Sequence, residues 1–170
     1  MEPGLSLIII SDRVSAGLKQ DKTRERVSSW CAENRFKLIS VEIVSDDKAV
    51  IGKSLQSAIK KKECNLIITS GGTGFSVRDV TPEATRPLLE KITPGIDEYL
   101  RREGAKETPF SILSRGISGI VENKIVINLP GNPNAVINGL NMLREILLHA
   151  LRTIDGDVGD SEHIYGEPHS

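Results

Sequence analysis

Four short polar segments carry the residue types that could do chemistry in this chain of 170 residues. They are Ser11-Asp12, Asp46-Asp47, the stretch from Ser70 to Asp79, and the stretch from Asn128 to Asn132. The third segment contains three glycines, Gly71, Gly72 and Gly74. Backbone N–H groups in such a turn can converge on one anion, and the hydroxyl groups of Ser70 and Thr73 add two donors. The spacing fits neither the P-loop pattern nor the dinucleotide-binding pattern G-x-G-x-x-G.

Carboxylates are expected close to this glycine-rich turn. Asp46 and Asp47 follow one predicted strand, and Asp79 follows another. Carboxylates near a phosphate site repel the phosphate unless a cation lies between them, and Mg²⁺ binds one or two carboxylates together with substrate phosphates. Alternatively, one of the two consecutive aspartates only caps the next helix. Arg78 and Arg115 can balance phosphate charge, or equally form ion pairs at the surface or between subunits.

No nucleophilic catalyst is indicated by the sequence. Ser114 has no histidine near it, and the chain contains no G-x-S-x-G segment. The three histidines show no metal-ligand spacing, and Cys31 falls in the middle of a predicted helix. Spacing alone therefore predicts an anion site with carboxylate-bound Mg²⁺. That combination indicates a phosphoryl- or nucleotidyl-group enzyme, or a nucleotide-binding module, without identifying the substrate.

The elements that must position these segments follow from hydrophobic patterning. Apolar, β-rich runs predict strands over 5–10, 36–44, 66–69 and 124–129, and a further edge or antiparallel strand within 112–121. Amphipathic patterns predict helices over 22–34, from 46–47 to about 62, from 81 to the break at 94–95, from there to about 103, and from 132 onward. This alternation predicts a single-domain, three-layer α/β/α fold with a mostly parallel sheet and one antiparallel edge strand. Ligands bind outside the carboxyl ends of the strands in such folds, so the four polar segments should share one edge.

Several helix ends can also be predicted. Thr81 is expected to be an N-cap with Pro82 at the first helical position, and Asn132 is expected to play the same part ahead of Pro133. The last helix carries one apolar stripe that should face the core. The stripe consists of Val136, Leu140, Leu143, Leu147 and Leu151.

Composition excludes several classes of protein. Lys and Arg number 22 against 23 Asp and Glu, so a strongly basic nucleic-acid binder is disfavoured. No segment has the length and apolar character of a membrane span, and the first residues do not resemble a signal peptide. Cys31 and Cys64 show no metal-site spacing, which predicts two reduced thiols in a cytoplasmic protein. We expect one domain over 1–154 and a mobile acidic tail over 155–170.

Two motifs resemble the signature of the MogA/MoaB molybdopterin-binding family. They are Thr69-Ser70-Gly71-Gly72-Thr73-Gly74-Phe75 and Arg78-Asp79-Val80-Thr81-Pro82-Glu83-Ala84-Thr85. The family includes the molybdopterin adenylyltransferases and the matching domain of plant Cnx and animal gephyrin. Segments 11–17, 44–47, 108–115 and 127–136 resemble further blocks of the family, so the similarity covers most of the chain.

This resemblance implies an adenylyl transfer in molybdenum cofactor biosynthesis. Mg²⁺-ATP would donate AMP to the terminal phosphate of molybdopterin, with release of pyrophosphate. The two critical carboxylates, which would also hold Mg²⁺, fall on Asp46 and Asp79. Family members are homotrimers whose product passes to a molybdenum-insertion protein or fused domain. The implied substrate contacts are Ser11, Asp12, Ser70, Gly71, Gly72, Thr73, Gly74, Ser114, Asn128, Pro130 and Gly131, with Ser114 and Asn128 on the pterin side.

Two positions depart from the family pattern, and two other interpretations stay open. Ser45 stands where the family often has proline, and Arg24 where many members have glycine. One alternative is a non-catalytic module of the same fold that binds molybdopterin or serves as a scaffold. The other is the related N-terminal domain of competence-damage-like proteins, which the chain length and the block Leu113-Ser114-Arg115 disfavour. The motifs are shared by MogA-type and MoaB-type members.

Overall fold

Six strands form one sheet in the computed structural model, which describes residues 2–156. Their order in the sheet is β2-β1-β3-β6-β5-β4. β1, β2, β3 and β6 are parallel, whereas β5 is antiparallel to β6 and β4 is antiparallel to β5. The strands are β1 (Gly4–Ile10), β2 (Lys37–Val44), β3 (Leu66–Ser70), β4 (Lys91–Ile92), β5 (Ser118–Val121) and β6 (Lys124–Leu129).

Helices cover both faces of this sheet. Two core clusters divide the side chains of β1 between them, with Leu5, Leu7 and Ile9 in one and Ile8 and Ile10 in the other. The first cluster is completed by α2 and α6, and the second by α3. The helices are α1 (Asp12–Ser15), α2 (Thr23–Glu33), α3 (Lys48–Ile59), α4 (Thr81–Thr85), α5 (Pro94–Gly104) and α6 (Pro133–Ile154), with 3₁₀ turns at Arg86–Leu88 and Pro109–Leu113.

This architecture confirms the predicted three-layer fold with a mostly parallel sheet and an antiparallel edge. All five residues of the predicted apolar stripe of α6 are buried. Asn132 caps that helix, because its side-chain oxygen accepts a hydrogen bond from Asn134 N at 2.9 Å. Cys31 and Cys64 are both free and buried, and burial raises the pKa of the Cys31 thiol to about 12. Within residues 2–156, no helix combines the length and apolar character that crossing a membrane requires.

The segment after Thr81 differs from its prediction as a long helix. α4 ends at Thr85, and a 3₁₀ turn and the edge strand β4 follow it. Pro87 explains the early end, since proline lacks the N–H group that a continuing helix needs and its ring obstructs the preceding turn. Thr81 is also not the N-cap, because α4 begins at that residue. Its hydroxyl group donates instead to the carbonyl oxygen of Gly71 at 2.8 Å.

The predicted strand within 112–121 is confirmed only in its second half. β5 covers Ser118–Val121, and the residues up to Leu113 form a 3₁₀ turn. Between these elements the N–H group of Arg115 donates to Thr73 O at 2.8 Å, so this stretch is attached to the glycine-rich segment rather than to the sheet. The predicted acidic tail lies outside the described residues from 157 onward, and α6 ends at Ile154.

Candidate functional site

The carboxyl ends of β1, β2, β3 and β6 meet at one edge of the sheet, as the sequence predicts. Hydrogen bonds join the segments that follow these strands. The N–H group of Ser11 donates to Val44 O at 2.9 Å, and that of Gly71 donates to Leu129 O at 3.0 Å. Ser70 Oγ donates to Pro130 O at 3.3 Å. These bonds join the segments in two pairs, and an ion pair between Arg78 and Asp12 links the pairs, so the four polar segments lie together at this edge.

Asp12 and Asp46 are bonded to each other at the ends of β1 and β2. The N–H group of Asp12 donates to Asp46 Oδ2 at 2.7 Å, and the N–H group of Asp46 donates to Asp12 Oδ1 at 3.0 Å. Arg78 approaches the other oxygen of Asp12, with Nη2 at 2.6 Å and Nε at 3.2 Å from Oδ2. Arg78 is thus an ion-pair partner within the chain.

The two carboxylates have different electrostatic surroundings. The hydrogen bond from Arg78 lowers the pKa of Asp12 below its ordinary value, so this carboxylate is anionic at neutral pH. Partial burial raises the pKa of Asp46, and the N–H group of Asp12 offsets this only in part. The charges of Asp12 and Asp79 raise the pKa of Asp46 further. The charge of Arg78 lowers the pKa of Asp46, but the net shift is upward, so a cation bound next to Asp46 would favour its charged form.

The glycine-rich loop over 71–80 has a backbone that depends on its glycines. Gly71 and Gly72 have φ angles of 115° and 65°, in the region that favours glycine. A Cβ atom on Gly71 would lie 2.2 Å from Ile10 O, so the loop can approach β1 only with glycine there. Within residues 2–156, the N–H groups of Gly72, Thr73 and Gly74 have no protein acceptor. Three successive N–H groups therefore remain without a hydrogen bond to the described part of the chain, which is what the predicted anion site requires.

Asp79 lies at the far end of this loop and is held by backbone groups. Its Oδ2 accepts from Ser76 N at 2.8 Å, and its own N–H group donates to Ser76 O at 2.9 Å. The carbonyl oxygen of Asp79 accepts from Arg115 Nη2 at 2.6 Å. These contacts fix the residue on both sides of its Cα atom.

Arg115 braces the same loop from outside it. Its Nε donates to Gly74 O at 2.7 Å, and its Nη1 pairs with the carboxylate of Glu83. This pairing lowers the pKa of Glu83. Of the two roles the sequence left open for Arg115, the ion pair is the one observed, and it lies within the chain.

A cavity of about 90 Å³ opens beside the loop, between α5 and α6. Ser114, Asn128 and Pro130 line it, as do Asp97 and Arg101 of α5. These two residues of α5 were not predicted, and their i, i+4 spacing is the only signal for them in the sequence. Arg101 Nη1 lies 3.3 Å from the carbonyl oxygens of Ser114 and Gly116, and burial raises the pKa of Asp97.

The other predicted residues of this edge have mainly structural contacts. Asn128 is buried, and its Nδ2 donates at 3.0 Å to the hydroxyl oxygens of both Thr69 and Thr85. Ser11 caps α1, since its Oγ accepts from Val14 N at 3.3 Å. Gly131 lies against the glycine-rich loop, because a Cβ atom there would be 3.3 Å from the Cα atom of Gly71.

Asp47 does what the capping alternative for the acidic pair predicted. Its Oδ1 accepts from the N–H groups of Ala49 and Val50 at 2.9 and 3.0 Å, so it is the N-cap of α3. The two aspartates therefore have different contacts, since Asp47 caps α3 and Asp46 binds Asp12.

The donor set at this edge suits a metal that is shared with a substrate. Residues 2–156 contain no group of three or more His, Cys, Asp or Glu side chains placed to hold a metal ion. Asp46 and Asp79 each retain one carboxylate oxygen, Oδ1, with no hydrogen bond to the described residues. Two such oxygens fit Mg²⁺ when substrate phosphates and water complete its coordination.

Residues 6–152 match the model of a family described as a probable molybdopterin binding domain. The chain is 45% identical over 116 residues to the molybdenum cofactor synthesis protein cinnamon of Drosophila melanogaster, a match that covers 68% of this chain. It is 37% identical over 151 residues to a molybdenum cofactor biosynthesis bifunctional protein of Synechococcus elongatus, covering 89% of this chain. It is 36% identical over 134 residues to a molybdopterin adenylyltransferase of Helicobacter pylori, covering 78% of this chain.

These relatives differ in how much longer they are than the matched region. The match spans 19% of the fly protein, 47% of the Synechococcus protein and 76% of the Helicobacter enzyme. Among solved structures, the fold matches that of a molybdopterin biosynthesis protein from Mycobacterium abscessus with a TM-score of 0.86. That chain is 32% identical, and the match covers 92% of this chain and 98% of the other.

Proposed function

Because the chain belongs to the family of probable molybdopterin binding domains, we propose that it is a molybdopterin adenylyltransferase, a nucleotidyltransferase. It would transfer AMP from Mg²⁺-ATP to the terminal phosphate of molybdopterin and release pyrophosphate. The name of the Helicobacter relative supports this activity, and the names of the other relatives support a role in molybdenum cofactor biosynthesis.

One observation carries the proposal. The unbonded N–H groups over 72–74 stand in the loop that also delivers Asp79, and Asp46 lies at the same sheet edge with one carboxylate oxygen unbonded. A phosphate cradle beside two carboxylates is the arrangement that a polyphosphate substrate with its cation requires. A module that only binds molybdopterin would need a phosphate site but not Asp46 and Asp79 together beside it.

The proposed reaction needs little acid–base chemistry from the protein. An oxygen of the molybdopterin phosphate forms a bond to the α-phosphorus of ATP, and the bond from that phosphorus to the bridging oxygen of the β-phosphate breaks. The attacking oxygen is already anionic, and the electron pair leaves with pyrophosphate. The protein has to orient the two phosphates and stabilise the developing charge. Bound Mg²⁺ would neutralise phosphate charge, and Asp46 and Asp79 would hold it.

The remaining predicted contacts divide between the two substrates. We assign the N–H groups over 72–74 to phosphate, and the cavity beside Ser114 and Asn128 to the pterin side of molybdopterin. The proposed contacts Ser11, Ser70, Pro130 and Gly131 lie between these regions or next to them. Ser70 and Asn128 are buried, so they would act mainly by shaping the surface.

We also propose that the chain forms homotrimers and passes its product to a molybdenum-insertion protein or domain. Large apolar side chains are exposed beside the site, among them Phe75, Val77 and Phe110, which supports a covered face there. The bifunctional name of the Synechococcus relative, of which the match spans about half, supports a link to a further domain.

The test is pyrophosphate release from Mg²⁺-ATP with and without molybdopterin. We expect release that depends on molybdopterin, with adenylylated molybdopterin as the second product. Asp79→Asn should fold, because the asparagine oxygen can still accept from Ser76 N. It should lose about 10²- to 10³-fold in turnover, as removal of a group that stabilises developing charge typically does.

Two outcomes would contradict the proposal. A near wild-type rate for Asp79→Asn would remove this residue from the chemistry. Tight binding of molybdopterin without any pyrophosphate release would favour the non-catalytic binding module, and the departures at Ser45 and Arg24 would then be the first places to substitute.

A further inference from the structure

We propose that Asp12 is a positioning residue, which holds Asp46 in place for the magnesium–phosphate site and is itself held by Arg78. The family resemblance implied instead that Asp12 contacts substrate directly. The inference rests on the proposed function, since it concerns how Asp46 is presented to Mg²⁺-ATP.

The sheet register places the two aspartates opposite each other. β1 and β2 are parallel, and their last pair is Ile10 with Val44. The N–H group of Ser11 then donates to Val44 O, so the pairing continues one step beyond the strands. Asp12 and Asp46 each stand two residues past that last pair. The hydrogen bonds between Asp12 and Asp46 thus continue the β1–β2 pairing into the turn. In these bonds the acceptors are side-chain carboxylates, whereas within the strands they are backbone carbonyl groups.

The two carboxylates differ in how many of their oxygens are hydrogen-bonded. Both oxygens of Asp12 are engaged, Oδ1 by the N–H group of Asp46 and Oδ2 by the guanidinium group of Arg78. Asp46 has only Oδ2 engaged within the described part of the chain, by the N–H group of Asp12. Asp46 is therefore the member of the pair that offers an oxygen to a cation, and Asp12 is the member that fixes the backbone from which Asp46 extends.

Arg78 connects this pair to the glycine-rich loop. It directly precedes Asp79, and its side chain reaches across to Asp12. The contact therefore links the turn that carries Asp46 with the loop that carries Asp79. Both Arg78 and Asp12 are well exposed, so substituting either one should leave the fold intact.

A set of four variants separates positioning from direct contact. In Asp12→Asn, the asparagine oxygen can still accept from the N–H group of Asp46, whereas Asp12→Ala removes the acceptor. We expect kcat/KM to fall about 10- to 50-fold in Asp12→Ala, in line with the cost of a misplaced catalytic group. Asp12→Asn and Arg78→Gln should each lose only about 2- to 5-fold, since each loses the ion pair alone. Asp47→Asn removes one negative charge next to Asp46 and should stay within about 2-fold of wild type.

A double-mutant cycle gives the second readout. If Asp12 acts through Asp46, then adding Asp12→Ala to Asp46→Asn should change activity by less than about 2-fold beyond Asp46→Asn alone. The dissociation constant of Mg²⁺-ATP should be measured by calorimetry on each variant in the absence of molybdopterin. We expect binding to weaken in the same order in which kcat/KM falls. Thermal unfolding checks that each variant is folded.

Three results would overturn the inference. Equal losses in Asp12→Asn and Asp12→Ala would mean that the charge of Asp12 acts directly. Effects of Asp12→Ala and Asp46→Asn that multiply would make the two residues independent. Binding of Mg²⁺-ATP as tight in every Asp12 variant as in wild type would leave Asp12 no part in the site. Failure of the proposed function is a separate result, because it would show as absent turnover in the wild-type protein, and the binding ranking still tests the role of Asp12.

Discussion

The two aspartates proposed to act together reach the sheet edge by different structural means. Asp46 lies in a three-residue turn, 45–47, with β2 on one side and α3 on the other. Asp79 lies in a ten-residue loop, 71–80, between β3 and the short helix α4. The turn is held by the elements on either side of it and by Asp12, whereas the loop is held by its own backbone contacts and by Arg115 from further along the chain.

The hydrogen bonds show what replaces regular structure in the longer loop. Arg115 donates to the carbonyl oxygens of Gly74 and Asp79, and Thr81 donates to that of Gly71. In the turn, the corresponding work is done by the β1–β2 ladder and by Asp47 at the start of α3. A side chain on a long loop can therefore be held in place when donors from other residues bind the loop carbonyls.

Among variants that test this difference between the turn and the loop, Arg115→Ala should have the largest effect. Three acceptors, Gly74 O, Asp79 O and the Glu83 carboxylate, lose their partner at once, so we expect the free energy of unfolding to fall by about 2–3 kcal/mol. Turnover should fall as well, because Asp79 is no longer held. Chemical denaturation and pyrophosphate release measure the two effects. Arg115→Lys should recover only part of the loss, since lysine lacks the forked geometry. Unchanged stability in Arg115→Ala would mean that the loop holds itself.

Gly72→Ala should have the next largest effect. The φ angle of 65° disfavours alanine, and the new Cβ atom would lie 2.2 Å from Thr81 Oγ1, so the Thr81 contact with the loop must shift. We expect a loss of about 1–3 kcal/mol in the free energy of unfolding. Gly17→Ala is the matched control, because Gly17 has a similar φ of 71° and its added methyl group would have no neighbouring atom within 4 Å. Equal losses for the two variants would show that the Thr81 contact is unimportant.

Asp47→Ala should have the smallest effect, although it removes two hydrogen bonds from the turn beside Asp46. Losing an N-cap costs about 1 kcal/mol, and the β1–β2 ladder still holds the turn. Asp47→Asn keeps an acceptor and should be close to wild type in thermal unfolding. A loss for Asp47→Ala as large as that for Arg115→Ala would erase the distinction between the two regions.

Much of the fold could be predicted because the signals are local. The strand over 124–129 and the stripe of α6 follow from residue type and period alone, and the structure confirms both. The helix predicted from Thr81 begins at that residue but is shorter than predicted, because Pro87 ends it. The predicted cap was wrong, because the hydroxyl group of Thr81 binds Gly71 O instead. The sequence alone does not show whether a threonine hydroxyl will cap the helix beside it or bind a loop carbonyl further away.

The sequence predicted where the candidate site lies better than it predicted which residues contact each other there. Parallel strands bring their carboxyl ends together, so the residues after them could be found from the order of elements. Arg115 and Arg101 reach this edge from segments that precede β5, and not from the carboxyl end of a parallel strand. β5 runs antiparallel to β6, so the residues that reach this edge are those that precede it, and their bonds join segments far apart in the chain.

The pairing of β3 with β6 also determines when this site can exist during synthesis. Leu66 pairs with Ile125 across a long intervening stretch, and the N–H group of Gly71 is bound by Leu129 O. A nascent chain that has produced β1, β2 and β3 already contains both aspartates' strands, yet it presents one edge of β3 without its partner. Because Gly71 N binds Leu129 O at the end of β6, the glycine-rich loop cannot make all of its contacts until β6 has been synthesised and has paired with β3.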